Sequence, residues 1–370
     1  LFRIYREIPT SKIANFSTLK NLQGSNFIDF REKFQAKLEK LFLIPANIFD
    51  NVNGKFPIGF FIWDTNKKED FKKIKANVYV YENKAKSKKL EIKKIGTKAI
   101  YSYKDKKRIN EWIIGYKLNS QDNIGFLIPG RNDFQNINYV RLANKNGNTD
   151  TLISEISRKV HLNCTPINTH SLIPIVVYMA VNYCVKQNWL NNHDQFLFPK
   201  KSWEKDINFH NDCLVFTLFH GENLISVKAG INHWIPFTET EIGTKETFTS
   251  DFMSRFIAGK IKKSNGNGDL FNKPKVENGT KCTFSPEAQD VFDAGRELWR
   301  YYHSQKDINV NASLYDIREY FQGRNERTGR MNSKSNNEKY NELMGVLREK
   351  LKILAEKIAE KVYLHEFLKA

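Results

Sequence analysis

The sequence predicts an α/β segment that closes a sheet, then an α+β region, then a helical C-terminal part. Three observations carry this. Residues 58–63 (Ile58, Gly59, Phe60, Phe61, Ile62, Trp63) form a short apolar run without helical period, entered through Gly54 and Pro57 and closed by Asp64-Thr65-Asn66. Such a run reads as a buried strand. Residues 171–187 form one strongly apolar helix, and residues 283–370 repeat apolar side chains at helical spacing.

The elements follow in order. Phe30, Phe34, Leu38 and Leu41 recur at helix spacing and predict a helix over 30–41. Leu41-Phe42-Leu43-Ile44 is a second apolar run. Helix, strand, aromatic loop, strand is the closing part of an α/β sheet, whose ligands sit in loops at strand ends. Val78-Tyr79-Val80-Tyr81 is β-branched and aromatic, and is expected to pair with Leu90-Glu91-Ile92 across a Lys/Asn/Ser-rich turn at 82–89. The first unit is therefore 1–82. The second, 83–280, holds short strands and turns at Gly125, Pro129-Gly130 and Asn146-Gly147-Asn148. Its one strong helix has Thr169 or Ser171 as cap and Pro174 in its first turn. Ile173, Val176, Val177, Ala180, Val181 and Cys184 are its core face. Residues 262–280, rich in Gly, Asn and Lys, read as a linker.

In the third unit, 281–370, Ser285-Pro286-Glu287 is an N-cap followed by proline at the first helical position. A helix follows through Val291, Phe292, Gly295, Leu298, Trp299 and Tyr302, another spans 313–321, and a last one starts near Asn337. The last carries Leu343, Leu347, Leu351, Leu354 and Ile358, which suit either a coiled-coil seam or packing on the other helices. The short length of the stripe favours packing.

Composition narrows the function classes. The 370 residues have 40% hydrophobic content, ordinary for a globular chain. The longest apolar stretch, 172–185, is interrupted by Pro174 and Asn182 and is too short to span a bilayer, so no membrane partner is expected. Leu1-Phe2-Arg3-Ile4-Tyr5-Arg6 lacks the apolar core of a secretory leader. Cys164, Cys184, Cys213 and Cys282 are sparse and lack Cys-x-x-Cys spacing, which predicts reduced thiols and a cytoplasmic location. The net charge of +18 favours a polyanionic partner, although 44 of the 59 basic residues are Lys, a bias that an AT-rich genome also produces. Clustering survives that discount. Residues 67–108 hold 16 Lys/Arg against 5 Asp/Glu, net +11 in 42 residues. This is either a solvated lysine-rich hairpin or a phosphate-contacting arm beginning with Lys67, Lys68, Lys72 and Lys73.

Residues 49–64, Phe-Asp-Asn-Val-Asn-Gly-Lys-Phe-Pro-Ile-Gly-Phe-Phe-Ile-Trp-Asp, resemble the end of the catalytic domain of bacterial adenine-specific DNA methyltransferases. The similar members are large restriction–modification enzymes whose target-recognition region follows the catalytic domain. The resemblance implies a Rossmann-like sheet whose last two strands form an antiparallel hairpin. It also implies a loop aromatic that stacks on the flipped-out adenine. Phe49 matches that position by order and spacing, and Phe56 is the second choice because the loop is longer than in the simplest members. Segments 231–237 and 295–303 are also similar to these proteins. The implied partners are double-stranded DNA and an upstream catalytic region, with S-adenosylmethionine as cofactor of the full-length enzyme.

The family's catalysis needs a Gly-rich turn for the cofactor and an Asn/Asp/Ser-Pro-Pro-Tyr/Phe tetrapeptide. None of the ten prolines is adjacent to another, so the tetrapeptide does not occur. Gly266-Asn267-Gly268 lacks the strand–turn–helix context of a cofactor loop. The sequence opens at Leu1 rather than Met. The expectation is a C-terminal part of a larger enzyme, binding no cofactor and transferring no methyl group alone.

Other candidates come from residue type. The loop Gly323 to Lys334 concentrates arginine, with Arg324, Arg327, Arg330 and Lys334 placed to meet guanine or phosphate. Its two glycines suit either a segment that orders on DNA or an ordinary solvated loop. Arg131-Asn132-Asp133-Phe134-Gln135-Asn136 and Asn232-His233-Trp234 hold side chains that read base edges or stack, though a structural role weighs more heavily. His161-x-x-Cys164 has no second pair to complete a zinc site. Glu239-x-Glu241 with Lys245 faintly suggests a Mg²⁺-dependent nuclease centre. The alternatives to the methyltransferase reading are thus a non-catalytic sequence-specific DNA-binding or specificity protein and, less favoured, a metal-dependent nuclease fragment.

Overall fold

The computed structural model describes residues 1–24, 27–52, 54, 56–83, 90–102, 108–118, 123–132, 137–144, 164–186, 188–190, 196–261 and 279–369. The turn at 84–89, Asp133 to Asn136, the turn at 146–148, His161 and residues 262–278 with Gly266-Asn267-Gly268 lie outside the described residues.

Two apolar cores organise a mixed α/β chain. The first is built on α1 (Phe2–Glu7), β1 (Lys12–Thr18), α2 (Lys20–Gln23), α3 (Ile28–Lys33), β2 (Ala36–Pro45), β3 (Pro57–Lys68), β4 (Lys73–Asn83) and β5 (Leu90–Tyr101). The strands form one five-stranded sheet in the order β1-β3-β2-β4-β5. Neighbours are antiparallel except β2 and β4, which pair in parallel at Phe42↔Asn77 and Leu43↔Val78. Along β3 the side chains alternate. Gly59, Phe61 and Trp63 are buried, whereas Ile58, Phe60 and Ile62 are only half-buried. Phe61 and Trp63 stack at 5.8 Å and join Leu41, Leu43, Ala76, Val78 and Phe34 in the core. Each buried large apolar side chain contributes roughly 1.5–3 kcal/mol. The opposite face of the sheet carries none of this cluster.

The expected strand at 58–63 is present and pairs antiparallel with β2, and Tyr81 pairs with Ile92 as expected, but β2 and β3 are not the last two strands of the sheet, since β4 and β5 follow them in it. The sheet runs on past 82 to Tyr101. The helix expected over 30–41 is corrected: α3 ends at Lys33 and Ala36 begins β2. The false period comes from a register shift between Leu38 and Lys40. Residues three apart on a regular strand face opposite ways. The extra residue lets Leu38 and Leu41 both pack on the first core.

The second core joins residues from Ile109 to Leu368. It comprises α4 (Ile109–Ile114), a small antiparallel sheet and, among the described residues, seven further α-helices. The small sheet holds β6 (Gly125–Asn132), β7 (Ile137–Ala143) and β8 (Thr165–Ile167) in the order β7-β6-β8. The central helix, α5 (Leu172–Cys184), is buried all round except at Tyr183. A helix apolar on every side belongs inside a core, so the six-residue face expected for it understates its burial.

Against it pack α6 (Ile207–Phe219) and the last helix, α11 (Glu338–Leu364), while α7 (Glu239–Ile242), α8 (Phe252–Ile257), α9 (Pro286–His303) and α10 (Leu314–Gln322) add side chains to the same core. Their starts follow local chemistry. Asp206 accepts from the Phe209 N–H, Ser285 from Ala288 with Pro286 next, Ser313 forms a capping box with Asp316, and Asn337 accepts from Tyr340. Each cap contributes about 1 kcal/mol. The α11 stripe is turned inward, with Leu347, Leu354 and Ile358 buried and Leu343 and Leu351 packed against the same core. α9 approaches α6 through Gly295, where a Cβ would lie 2.2 Å from Cε1 of Phe219. Beyond α11, Phe367 and Leu368 are buried, and the Leu197 and Lys200 N–H groups donate to the Phe367 and His365 carbonyls at 2.8 and 2.9 Å.

Residues on both sides of 280/281 share the second core, so that sequence boundary does not divide it. The chain after α5 returns to the first core, where Trp189 and Leu190 pack and Lys98 Nζ donates to the Leu190 carbonyl at 2.7 Å, and Arg108, just before α4, donates to the Gln23 carbonyl at 2.6 Å. Burial pulls the Lys98 pKa down to about 8. Among the described residues no helix is long and apolar enough to cross a membrane.

Candidate functional site

The loop between β2 and β3 is shaped by short-range bonds. Ala46 donates to the Phe56 carbonyl at 2.9 Å and closes the base of the loop. Phe49 N–H donates to Ala46 O at 3.1 Å, Val52 N–H donates to Phe49 O at 3.3 Å, and Asn51 adopts φ 62°. Asn tolerates this left-handed conformation better than most residues. These turns hold Phe49 outward with 37% of its surface exposed, and its ring meets Phe16 edge-on at 5.5 Å. Phe56 plays a different part. It is half-buried and lies over Gly54, where a Cβ would come within 2.5 Å of its ring, so it props the loop.

Phe49 stands at one end of an aromatic row. Phe16 on β1, Phe60 on β3, Phe42 on β2 and Tyr79 on β4 cross the open sheet face. Their successive ring centroids are 4.7, 6.2 and 6.1 Å apart. Phe16 is exposed and the other three are half-buried. Sequence reasoning missed Phe16, Phe42, Phe60 and Tyr79 as a group. The alternation of Phe60 with Phe61 shows that β3 is apolar on both faces, but only strand order brings the other rings beside it.

The basic arm that begins with Lys67, Lys68, Lys72 and Lys73, whose phosphate-contacting reading would set it beside the cleft, starts far from Phe49. Ala36 pairs with Lys68 while Pro45 pairs with Pro57, so Lys67 and Lys68 occupy the opposite end of β3 from the aromatic loop. At about 3.3 Å per residue this is roughly 30–35 Å. Lys73 begins β4 at that same far end, with Lys72 just before it. Lys67 pairs with Asp64 at 3.4 Å, and Lys73 Nζ sits 5.0 Å from the Tyr101 ring centroid. Their placement beside the Phe49 loop is therefore corrected. Lys94, which pairs opposite Tyr79, lies on the Phe49 side.

The arginine loop is folded on itself. Gly323 and Gly329 take φ of 61° and 64°, and Arg324 and Met331 bridge across it. Arg324 turns inward. It donates to Glu319 at 2.9 Å, to the Gly329 carbonyl at 2.8 Å and to the Tyr315 hydroxyl at 2.6 Å. The Glu319 carboxylate holds the guanidinium pKa up, and Arg324 in turn holds the Glu319 pKa down. Arg324, offered as a side chain to meet guanine or phosphate, instead braces the loop: three of its five N–H donors are used within the protein, which favours the solvated-loop alternative for this residue. Arg327, Arg330 and Lys334 are exposed. Lys334 also lines a cleft of about 600 Å³ with Tyr320, Gln322, Asn332 and Asn336.

Trp234 is corrected to a core residue. It is 3% exposed, and its backbone N–H donates to Asn232 Oδ1 at 3.0 Å while Asn232 Nδ2 donates to the Asn311 carbonyl. For Arg131 and Asn132 the backbone is in β6, paired with Asn138 and Ile137. Glu239 and Glu241 serve the start of α7. Glu241 completes a capping box with Thr238, and Glu239 accepts from the Phe248 N–H. Glu241 is thus engaged in a helix cap and Glu239 with a loop N–H, which corrects the suggestion of a Mg²⁺ centre. Among the described residues no group of three or more His, Cys, Asp or Glu is placed to hold a metal.

The assembled geometry offers stacking surface and positive charge. No family model, curated protein or solved structure matches the chain.

Proposed function

We propose that this chain serves target recognition and flipped-base stacking in a site-specific adenine DNA methyltransferase that uses S-adenosylmethionine. The observation that carries the reading is Phe49, an exposed ring on the loop that joins the two antiparallel strands β2 and β3 of the five-stranded sheet. An enzyme that modifies a base must take it out of the duplex and hold it against an aromatic or apolar surface. A Phe sealed in hydrocarbon would not serve, and Phe49 is accessible. The net charge of +18 supports a polyanionic partner. The chain contributes no Pro-Pro tetrapeptide, so cofactor binding and methyl transfer fall to another region or subunit.

The test is Phe49→Ala in the methylating enzyme that contains this chain. Stacking contributes about 1–3 kcal/mol per base. Methylation is expected to drop tenfold or more, with duplex affinity within about twofold of wild type. Unchanged turnover refutes the reading. A second reading, a non-catalytic DNA-binding or specificity protein, is favoured by the missing tetrapeptide. It predicts sequence-specific duplex binding without any methylating partner.

A further inference from the structure

We propose that the open face of the five-stranded sheet binds an unpaired DNA strand along the row Phe16, Phe60, Phe42 and Tyr79. This rests on the DNA-recognition reading and extends it from one stacked base to a strand. The row crosses four adjacent strands, β1, β3, β2 and β4. Neighbouring rings are tilted by 45°, 42° and 46°, so none covers its neighbour as a parallel stack would. Each ring keeps part of a π-face free, while Phe61 and Trp63 on the other side of the same strand are sealed. A contiguous apolar face left open marks an interaction surface.

Charge selects the occupant. Lys40 stands two residues before Phe42, past the register shift, and Lys75 two before Asn77, so both share the face of the row. Lys94 lies directly opposite Tyr79, on the same side of the sheet. All three are exposed. Glu39 is held by Lys12 at 2.7 Å, and buried Asp64 by Lys67 and the Asn66 N–H, while exposed Asp50 stands beside Phe49 at the loop end of the row. The three exposed lysines are interleaved with rings. That combination, phosphate-tracking cations beside sequence-tolerant stacking platforms, suits single-stranded nucleic acid. Duplex DNA keeps its bases stacked on one another and offers nothing to such a row.

The experiment compares fluorescein-labelled oligo-dT with a mixed-sequence duplex of the same length, by anisotropy on the full chain at fixed salt. Wild type binds the single strand. Phe42→Ala combined with Tyr79→Ala weakens that binding at least tenfold and changes duplex binding less than twofold. The ring-conserving pair Phe42→Tyr with Tyr79→Phe retains it, which separates stacking from damage to the sheet. Lys94→Ala lowers the salt dependence of single-strand binding. The proposal is overturned if wild type does not bind the single strand or if the double alanine variant binds it as well as wild type. It is also overturned if wild type sediments as a dimer that the double variant dissolves, since the face then docks protein. Duplex binding with no single-strand binding removes this proposal and leaves the Phe49 reading standing. Failure to bind either form removes both.

Discussion

Replacing Gly295 by Ala tests the packing of α9 on α6. The added Cβ would lie 2.2, 2.6 and 2.9 Å from Cε1, Cζ and Cδ1 of Phe219, all inside van der Waals distance. The Phe219 ring is 2% exposed. It is bounded by Phe237 at 6.2 Å, Phe292 at 6.2 Å and Trp299 at 5.9 Å, the last two edge-on, so it has no free volume to turn into. Overpacking of this kind costs about 1–3 kcal/mol, and overlap with three ring atoms places it at the upper end. Ala is a better helix former than Gly by about 1 kcal/mol. The net loss is then about 2 kcal/mol, or a fall in Tm of about 4–8 °C for a unit of this size. Thermal and urea unfolding followed by circular dichroism measure it. Adding Phe219→Leu should return part of the loss, and the double-mutant cycle isolates the coupling. A Tm for Gly295→Ala equal to or above wild type would refute the reasoning, because helix propensity alone would then have decided the outcome.

Asp206 accepts from Lys361 at 2.8 Å and from His365 at 3.0 Å, and so links the start of α6 to the end of α11. Burial opposes its ionisation, but the Lys361, Phe209 N–H and His365 hydrogen bonds outweigh burial and hold its pKa below 3.8. A carboxylate with a depressed folded pKa stabilises fully above its unfolded value, and the effect fades as pH falls through the folded one. Asp206→Asn should therefore cost on the order of 1 kcal/mol near pH 7, with variant and wild-type unfolding curves converging as pH falls through the depressed folded pKa. Replacing Arg327 and Arg330 by Ala should leave the melting curve unchanged and reduce the salt slope of duplex binding by about 0.9 for each phosphate no longer neutralised. An identical slope would take these side chains out of the interface. Trp234→Ala should lower stability by about 3–5 kcal/mol in urea unfolding, and a stable variant with a specific loss of DNA affinity would contradict its core placement.

Helix starts were the most legible part of the chain, because caps act within four residues. Ser285-Pro286, Ser313 and Asn337 sit at the observed starts. Strand β3 was legible from its apolar run and its flanking breakers. What failed depended on partners distant in sequence or on local irregularity. Leu38 and Leu41 imitate a helical period because a strand irregularity brings both to one face. Trp234 beside Asn232 looks like a pair for reading bases, yet the Asn oxygen is spent on the Trp backbone N–H. Arg324 looks like a base reader until Glu319 and Tyr315, one helix earlier, claim its donors. Of the candidate site, Phe49 could be named from sequence. The rings beside it could not, since Phe16, Phe42 and Tyr79 meet only through strand order and register.

The burial of Phe367 and Leu368 has a consequence for biosynthesis. These side chains close a core whose other members begin at Ile109. A nascent chain cannot complete that packing until both residues have left the ribosomal exit tunnel. Helices emerging earlier must wait with apolar flanks uncovered, whereas the five strands of the sheet have all been synthesised by Tyr101.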